Sequence, residues 1–159
     1  HDTDESYPPQ LLPPQIAEHI ALQKALAVKS ALKAEPDVVI GADTIVEING
    51  QIMGKPANET EALYFLNQLS GKKHRVITGI CLLSLNRCHA FHVSTIVHFY
   101  FLTKQQIEYY VQTCKPYDKA GGYAIQEWIG LTGIEKIDGC YFNVMGLPVS
   151  RLLLEMNNF

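Results

Sequence analysis

The stretch Val38-Val39-Ile40-Gly41-Ala42-Asp43-Thr44 determines which elements are predicted on either side of it. Its β-branched start predicts a short buried strand, and Asp43 is expected where that strand emerges. The following segment, Ile45 to Ile52, alternates around Asn49-Gly50, the strongest short-range signal for a two-residue hairpin. A carboxylate at such a strand end is well placed to orient a water molecule or to hold Mg²⁺. An aspartate before a threonine is also common as a local cap, so a structural role for Asp43 stays open.

A helix is predicted upstream of this strand, from Pro13 to about Glu35, because prolines open a segment rich in helix formers. Its apolar face is formed by residues at helical spacing, namely Ala17, Ile20, Ala27, Val28 and Ala31. Lys24 lies in the middle of that face. The lysine either reaches outward to solvent along its aliphatic stem or is held inward to meet an anion, and both interpretations are open.

Capping and alternation patterns predict the remaining elements. These are a helix capped by Asn58 and Glu61, a hairpin of strands 74–85 and 88–102, a helix capped by Thr103 and Gln106, a strand–turn–strand unit at 134–144, and a helix from Pro148 to Met156. The Gly-rich stretch 115–133 shows too little periodicity for regular structure. Helices mixed with antiparallel hairpins, without clean βαβ alternation, predict a mixed α/β fold with α+β character.

The composition excludes several classes of function. A chain of 159 residues with 47% hydrophobic and 18% charged residues is sufficient for one packed domain, spanning 1–159. With a formal charge of −3, the chain lacks the basic surface that binding of a nucleic acid polymer requires. No apolar run approaches the ~20 residues that cross a membrane. Four scattered cysteines without C-x-x-C predict neither a disulfide framework nor a zinc ribbon, which favours a reducing, cytoplasmic location.

Three lysines and one carboxylate indicate the chemistry. Lys55 is held between a glycine and a proline, and Lys119 follows an aspartate in the Gly-rich stretch. The string 50–56 has too few residues between its glycines for a P-loop, and a proline follows its lysine, so an ordinary loop lysine remains an alternative for Lys55. Together with Lys24 and Asp43, these residues predict binding of a phosphorylated small molecule with a divalent cation.

Six short strings in this order resemble the Maf family of nucleoside triphosphate pyrophosphatases. They are G-A-D-T (41–44), G-K-P (54–56), H-R-V-I-T-G (74–79), D-K-A-G (118–121), Y-A-I-Q (123–126) and N-V-M-G-L-P (143–148). Each string is weak alone, but six in order are specific, and the resemblance covers nearly the whole chain. It implies a fold related to inosine triphosphate pyrophosphatases, with helices flanking a mixed central sheet, a cleft between two lobes, and a homodimer. It also implies hydrolysis of a nucleoside triphosphate to the monophosphate and pyrophosphate, assisted by Mg²⁺ or Mn²⁺.

The resemblance also implies roles for single residues. Asp43 matches the general base of the family, and Glu5 matches the acidic residue of the opening D-E pair, with which Asp43 would hold the metal. Lys24 and Lys55 match lysines that would neutralise substrate phosphates as point charges. Lys119 is expected to bind substrate beside them.

Thr44 and Gln126 match the residues that mark the family's dTTP and UTP subgroup. The amide of Gln126 can pair with part of the acceptor–donor–acceptor edge of a pyrimidine dione. Modified pyrimidine nucleotides are a further expected substrate class. A different class of function, a nucleotide-binding regulator of cell division with little turnover, is the competing hypothesis.

One departure from the family concerns the amino-terminal side. The S-x-R-R motif that lies upstream of the D-E pair in the family has no counterpart in these residues. Because the sequence opens at His1 rather than at Met, we expect that an N-terminal strand carrying this motif is missing from it.

Overall fold

The computed structural model describes residues 5–33 and 36–159, and its centre is a five-stranded sheet. The strand order is β2-β1-β3-β4-β5, and every neighbouring pair is antiparallel. The strands are β1 (Val39–Ile48), β2 (Gln51–Met53), β3 (Lys73–Leu83), β4 (Cys88–Phe99) and β5 (Ile134–Asp138). Helices flank this sheet, so the predicted α/β fold class is confirmed.

The hairpin at Asn49-Gly50 joins β1 to β2 as predicted. Both residues have positive φ values, 53° and 82°, as a two-residue type I′ turn requires. The expectation that Asp43 lies at a strand end is wrong, because β1 continues through it and Asp43 pairs with Gly79 of β3. On its other side β1 pairs with β2 only over the last three residues of β1, Val46 to Ile48. Asp43 therefore lies in mid-strand, and no strand among the described residues pairs with β1 at Asp43 on the side away from β3.

Six α-helices complete the part of the fold that the structure describes. They are α1 (Pro13–Ala31), α2 (Glu59–Leu69), α3 (Lys104–Cys114), α4 (Trp128–Gly133), α5 (Tyr141–Val144) and α6 (Val149–Met156). The two predicted caps are confirmed: Asn58 Oδ1 accepts from the Glu61 N–H, and the Thr103 hydroxyl accepts from the Gln106 N–H. The Gly-rich stretch is more regular than predicted, since it contains a 3₁₀ turn at Ala120–Gly122 and α4. None of the described helices is both long and apolar enough to cross a bilayer.

The predicted second strand after the turn at 138–139 is wrong, because the chain forms the short helix α5 there. Asn143 explains this difference. Its side chain is fully buried, and its Nδ2 donates to the Val76 carbonyl at 3.1 Å and to Thr95 Oγ1 at 3.0 Å. A side chain that hydrogen-bonds across β3 and β4 fixes the segment over the sheet face, where no ladder partner is available.

The helix α1 packs on one face of the sheet and the other helices pack mainly on the opposite face. Ile45 and Ile77 contact α1, whereas their neighbours Val46 and Val76 belong to the larger core formed with α2, α3 and α4, because strand side chains alternate between faces. The approach of α1 is unusually close at Gly79, where an added Cβ would lie 2.2 Å from the backbone of Ala17. This close contact fixes the position of the helix that carries Lys24.

Candidate active site

A cavity of about 280 Å³ lies beside β1 at Asp43 and Thr44. Its walls come from α1, β1, β3, the loop 54–56, the segment 118–126 and the end of α5. The charged side chains of the lining lie close together, and we call this part of the cleft the charged end. The other lining residues are neutral. The charged lining residues are Lys24, Asp43, Lys55, Asp118 and Lys119. The neutral ones are Ala42, Thr44, Val46, Val76, Ala120, Tyr123, Ala124, Gln126, Val144, Met145 and Gly146.

Lys24 is the centre of the charged end. Its Nζ lies 2.5 Å from Asp43 Oδ1 and 3.0 Å from Glu5 Oε1. The Nζ of Lys55 lies 3.0 Å from the same Glu5 oxygen. Of the two interpretations of Lys24, the structure therefore shows the inward one, with the ammonium group held between carboxylates. Four residues far apart in the sequence meet in this one cluster.

Burial and the neighbouring opposite charges shift the pKa values of these groups in opposite directions. Asp43 is 8% exposed, and this burial raises the pKa of its carboxyl above the usual range, although the Lys24 ammonium opposes the change. Burial also raises the pKa of Glu5, but the hydrogen bonds from Lys55 and Lys24 outweigh it and the net pKa is lowered. For Lys24 burial lowers the pKa, and contact with the two carboxylates more than reverses this. Lys24 and Glu5 are therefore both charged at neutral pH.

The two carboxylates fit a divalent cation that arrives with its own ligands. The described part of the chain holds no group of three His, Cys, Asp or Glu side chains arranged around a metal position. Mg²⁺ usually takes only one or two carboxylates and completes its octahedron with water and substrate phosphates. Asp43 and Glu5, which share Lys24 Nζ, supply such a pair of oxygen donors. The charge of Glu5 raises the pKa of Asp43, a repulsion that a bound cation would relieve.

Two loops carry the other lysines to the cleft. The Gly121 N–H donates to the Gly54 carbonyl at 2.9 Å, so the loop with Lys55 and the segment with Lys119 are joined. The Nζ of Lys119 lies 2.5 Å from Asp118 Oδ2. Lys24, Lys55 and Lys119 thus line one cavity from three directions, an arrangement suited to a polyanion.

The segment that carries Gln126 is supported by two buried tyrosines. The Tyr110 hydroxyl accepts from the Ala124 N–H at 3.1 Å and donates to the Glu127 carboxylate. The hydroxyl oxygen of Tyr123 lies 2.7 Å from His74 Nε2. These bonds fix the backbone on both sides of Gln126, whose side chain is exposed to the cleft.

The structure also shows residues to which the sequence assigned no role. Thr44 Oγ1 lies 2.8 Å from Thr78 Oγ1, which donates to the Asn143 carbonyl at 2.9 Å. Thr78 and Asn143 occur within two of the six strings, H-R-V-I-T-G and N-V-M-G-L-P. Their presence in those strings was the only sequence signal that could have pointed to Thr78 and Asn143. Spacing alone cannot show that strands β1 and β3 bring Thr44 and Thr78 opposite each other.

Comparison with known proteins agrees with the six strings. The family profile described as Maf-like protein matches residues 1–159. A dTTP/UTP pyrophosphatase of Phocaeicola vulgatus is 47% identical over 153 residues, which are 96% of this chain and 79% of that protein. Proteins of the same name from Parabacteroides distasonis and Porphyromonas gingivalis are 47% and 42% identical over 99% of this chain and 81% and 80% of their own lengths. On this evidence the chain belongs to the Maf-like protein family.

Proposed function

We propose that this protein is a nucleoside triphosphate pyrophosphatase that hydrolyses dTTP and UTP to the monophosphate and pyrophosphate. The observation that carries the proposal is the meeting of Lys24, Lys55, Asp43 and Glu5 at a cleft that also has a neutral lining. A triphosphate needs the charged groups, and a base needs the neutral ones. Its relatives named dTTP/UTP pyrophosphatase support the same substrates.

Asp43 is the general base in this proposal. Its carboxylate is held by Lys24, and its burial raises the pKa of the group that must accept a proton from water. Little covalent work is needed from the protein in a phosphoryl transfer, so positioning and charge neutralisation carry most of the rate. Asp43 orients and deprotonates the attacking water from the fixed strand β1.

The lysines supply the neutralising charge. Lys24, Lys55 and Lys119 approach the cavity from separate elements, so they can contact different phosphate oxygens. Asp43 and Glu5 would hold Mg²⁺ or Mn²⁺, which would add further neutralisation of the phosphates when bound. The ion pairs of Lys24 and Lys55 with Glu5 are then exchanged in part for pairs with the substrate.

Thr44 and Gln126 face the base in this proposal. Both line the cavity, together with Tyr123 and Met145, which supply apolar surface. The Gln126 amide can donate to a carbonyl oxygen of a pyrimidine dione. A homodimer and a cytoplasmic location are further parts of the proposal, and neither enters the chemistry of the cleft.

A substrate panel tests the proposal against the alternatives. The full-length protein is incubated with Mg²⁺ and each of dTTP, UTP, CTP, GTP, pseudo-UTP and 5-methyl-UTP, and released pyrophosphate is measured. We expect pyrophosphate from dTTP and UTP at rates well above those from CTP and GTP. Tight binding of dTTP with negligible pyrophosphate release would instead favour the nucleotide-binding regulator. Preference for the modified nucleotides would favour removal of such nucleotides as the function.

A further inference from the structure

A short chain of hydrogen bonds begins at Thr44, one of the neutral residues that line the cleft. The hydroxyl oxygen of Thr44 lies 2.8 Å from that of Thr78, which lies 2.9 Å from the main-chain carbonyl oxygen of Asn143. Thr78 and Asn143 are fully buried, whereas Thr44 lines the cavity. Only the first member of the chain can therefore meet a ligand.

Counting protons fixes the direction of this chain. Each of the two short oxygen–oxygen contacts needs one proton, and the carbonyl oxygen of Asn143 can only accept. The hydroxyls of Thr78 and Thr44 supply one proton each. Thr78 must therefore donate to Asn143, and Thr44 must donate to Thr78. The opposite direction would leave Thr78 and the carbonyl opposed without a proton in a buried site, which is costly.

The end of the chain is held rigidly. The Asn143 carbonyl also accepts from the Gly146 N–H at 3.0 Å, and the Asn143 amide donates to the Val76 carbonyl and to Thr95 Oγ1. Thr78 is β-branched and fully buried, so its hydroxyl has little freedom to turn elsewhere. The proton of Thr44 is thus committed to the protein, and its hydroxyl offers only lone pairs to the cleft.

We propose that Thr78 is a positioning residue that holds Thr44 as an obligate hydrogen-bond acceptor, and that this acceptor selects, among pyrimidines, those whose N3 carries a proton. The inference rests on the proposed function and adds the basis of its base selectivity. Uracil and thymine have a single donor on the base, N3–H, whereas cytosine has a lone pair at N3. A cytosine placed in the same way would oppose its N3 lone pair to that of Thr44. The Gln126 amide can meet a flanking carbonyl of the dione from the same cavity.

The variant Thr78→Val tests this inference, because valine keeps the shape and removes the hydroxyl. Without Thr78 as acceptor, the Thr44 proton can turn into the cleft and donate to cytosine N3. We expect kcat/KM for CTP to rise, and the UTP-to-CTP ratio of kcat/KM to fall by roughly tenfold or more. In Thr78→Ser, which retains the hydroxyl, the ratio should stay near that of the wild type.

Thr95→Val is the matched structural control. Thr95 is equally buried and also contacts Asn143, but its hydroxyl does not reach Thr44. Loss of the Thr95 hydroxyl should lower the free energy of unfolding and leave the UTP-to-CTP ratio of kcat/KM unchanged. The inference is overturned if Thr78→Val keeps the wild-type ratio, if it weakens UTP and CTP equally, or if Thr95→Val or Thr78→Ser lowers the ratio as much.

Binding measurements separate this inference from the proposed activity. The affinities of the α,β-methylene analogues of UTP and CTP are measured by calorimetry for the wild type and the three variants. The ratio of the affinity for the UTP analogue to that for the CTP analogue should follow the UTP-to-CTP ratio of kcat/KM, and it should fall only in Thr78→Val. A wild type that discriminates between the analogues but releases no pyrophosphate would overturn the activity alone. A wild type that binds both analogues equally, or neither, would overturn the inference.

Discussion

At the scale of single residues, Lys24 organises the charged end of the cleft. Its ammonium group connects Asp43 on β1 with Glu5 before α1, and Lys55 contacts the same Glu5. These contacts are partly exposed, so their contribution to folding stability is small. Their value lies in placement, because they preset the positions of cationic and anionic groups that a triphosphate and its metal would meet.

Gln126→Glu tests base reading at this scale. The change replaces the donor NH₂ of the amide by an acceptor oxygen facing a base carbonyl, which the bound ligand would bury. An unsatisfied buried polar group costs ~1–3 kcal/mol, so the preference for dTTP and UTP over CTP and GTP should shrink about tenfold or more. The measurement is kcat/KM for all four nucleotides. Gln51→Glu, an exposed change of the same charge on β2, is the control and should leave the preference intact. An equal loss on all four nucleotides would show that Gln126 does not read the base.

His74 gives a prediction about stability and pH. Its burial, with a smaller effect of His98, lowers the pKa of His74 from 6.5 to about 3. Between these values the unfolded chain binds a proton that the folded protein does not, so stability falls as the pH decreases through this window. The expected loss from this residue is up to about 1.4 kcal/mol per pH unit. His74→Gln can keep the bond to Tyr123 without titrating, and should show a weaker acid dependence.

Urea unfolding from pH 7.5 down to pH 5 measures this effect. Carboxylates with lowered pKa values, such as Glu5 and Asp118, affect stability only below their usual titration range, so they do not contribute strongly in this interval. Parallel stability curves for the wild type and His74→Gln would contradict the buried, neutral state of His74.

At the scale of elements, the seating of α1 on the sheet determines where Lys24 lies. The helix approaches β1 and β3 at two glycines: an added Cβ at Gly41 would lie 2.1 Å from the Ala21 carbonyl, and one at Gly79 would lie 2.2 Å from Ala17. Contacts this short are impossible, so any side chain there must displace the helix. Gly41 and Gly79 therefore allow α1 to pack on the sheet and thereby place Lys24 in the site.

Gly79→Ala tests this coupling between packing and site. Overpacking of this kind costs ~1–3 kcal/mol, and displacement of α1 would move Lys24 from Asp43. We expect a lower melting temperature together with reduced kcat/KM on dTTP. Gly54→Ala is the control for stability, because an added Cβ there has open space and Gly54 has ordinary backbone angles. A Gly79→Ala protein with wild-type melting and turnover would show that the helix seat tolerates the change.

Elements defined by local signals were predictable from the sequence. The Asn49-Gly50 turn and the caps at Asn58 and Thr103 depend on residues within a few positions, and all three are confirmed. The continuity of β1 through Asp43 and the helix at Tyr141–Val144 were not predicted. Both depend on partners far away in the sequence, namely β3 for the strand and Val76 and Thr95 for the segment carrying Asn143.

At the scale of the whole molecule, the antiparallel sheet brings distant segments together beside β1. Among the described residues, the β2 strand pairs with only three residues at the end of β1, and the cleft lies beside the part at Asp43 and Thr44 that β2 does not reach. Periodicity marked Lys24 as out of place but could not identify its partner. The family resemblance suggested Asp43, Glu5, Lys24 and Lys55 as one set, and the structure places these four together.

Product analysis of dTTP with Mg²⁺ by ³¹P NMR, for the wild type and Asp43→Asn, tests both the bond that is cleaved and the role of Asp43. We expect dTMP and pyrophosphate from the wild type, with no dTDP or free phosphate. Asparagine keeps the shape of Asp43 but removes the base, so turnover should fall by about 10²-fold or more while circular dichroism shows an unchanged fold. Products other than dTMP and pyrophosphate would show that the protein is not a pyrophosphatase of dTTP, and near-normal turnover by a folded Asp43→Asn protein would show that Asp43 is not the general base.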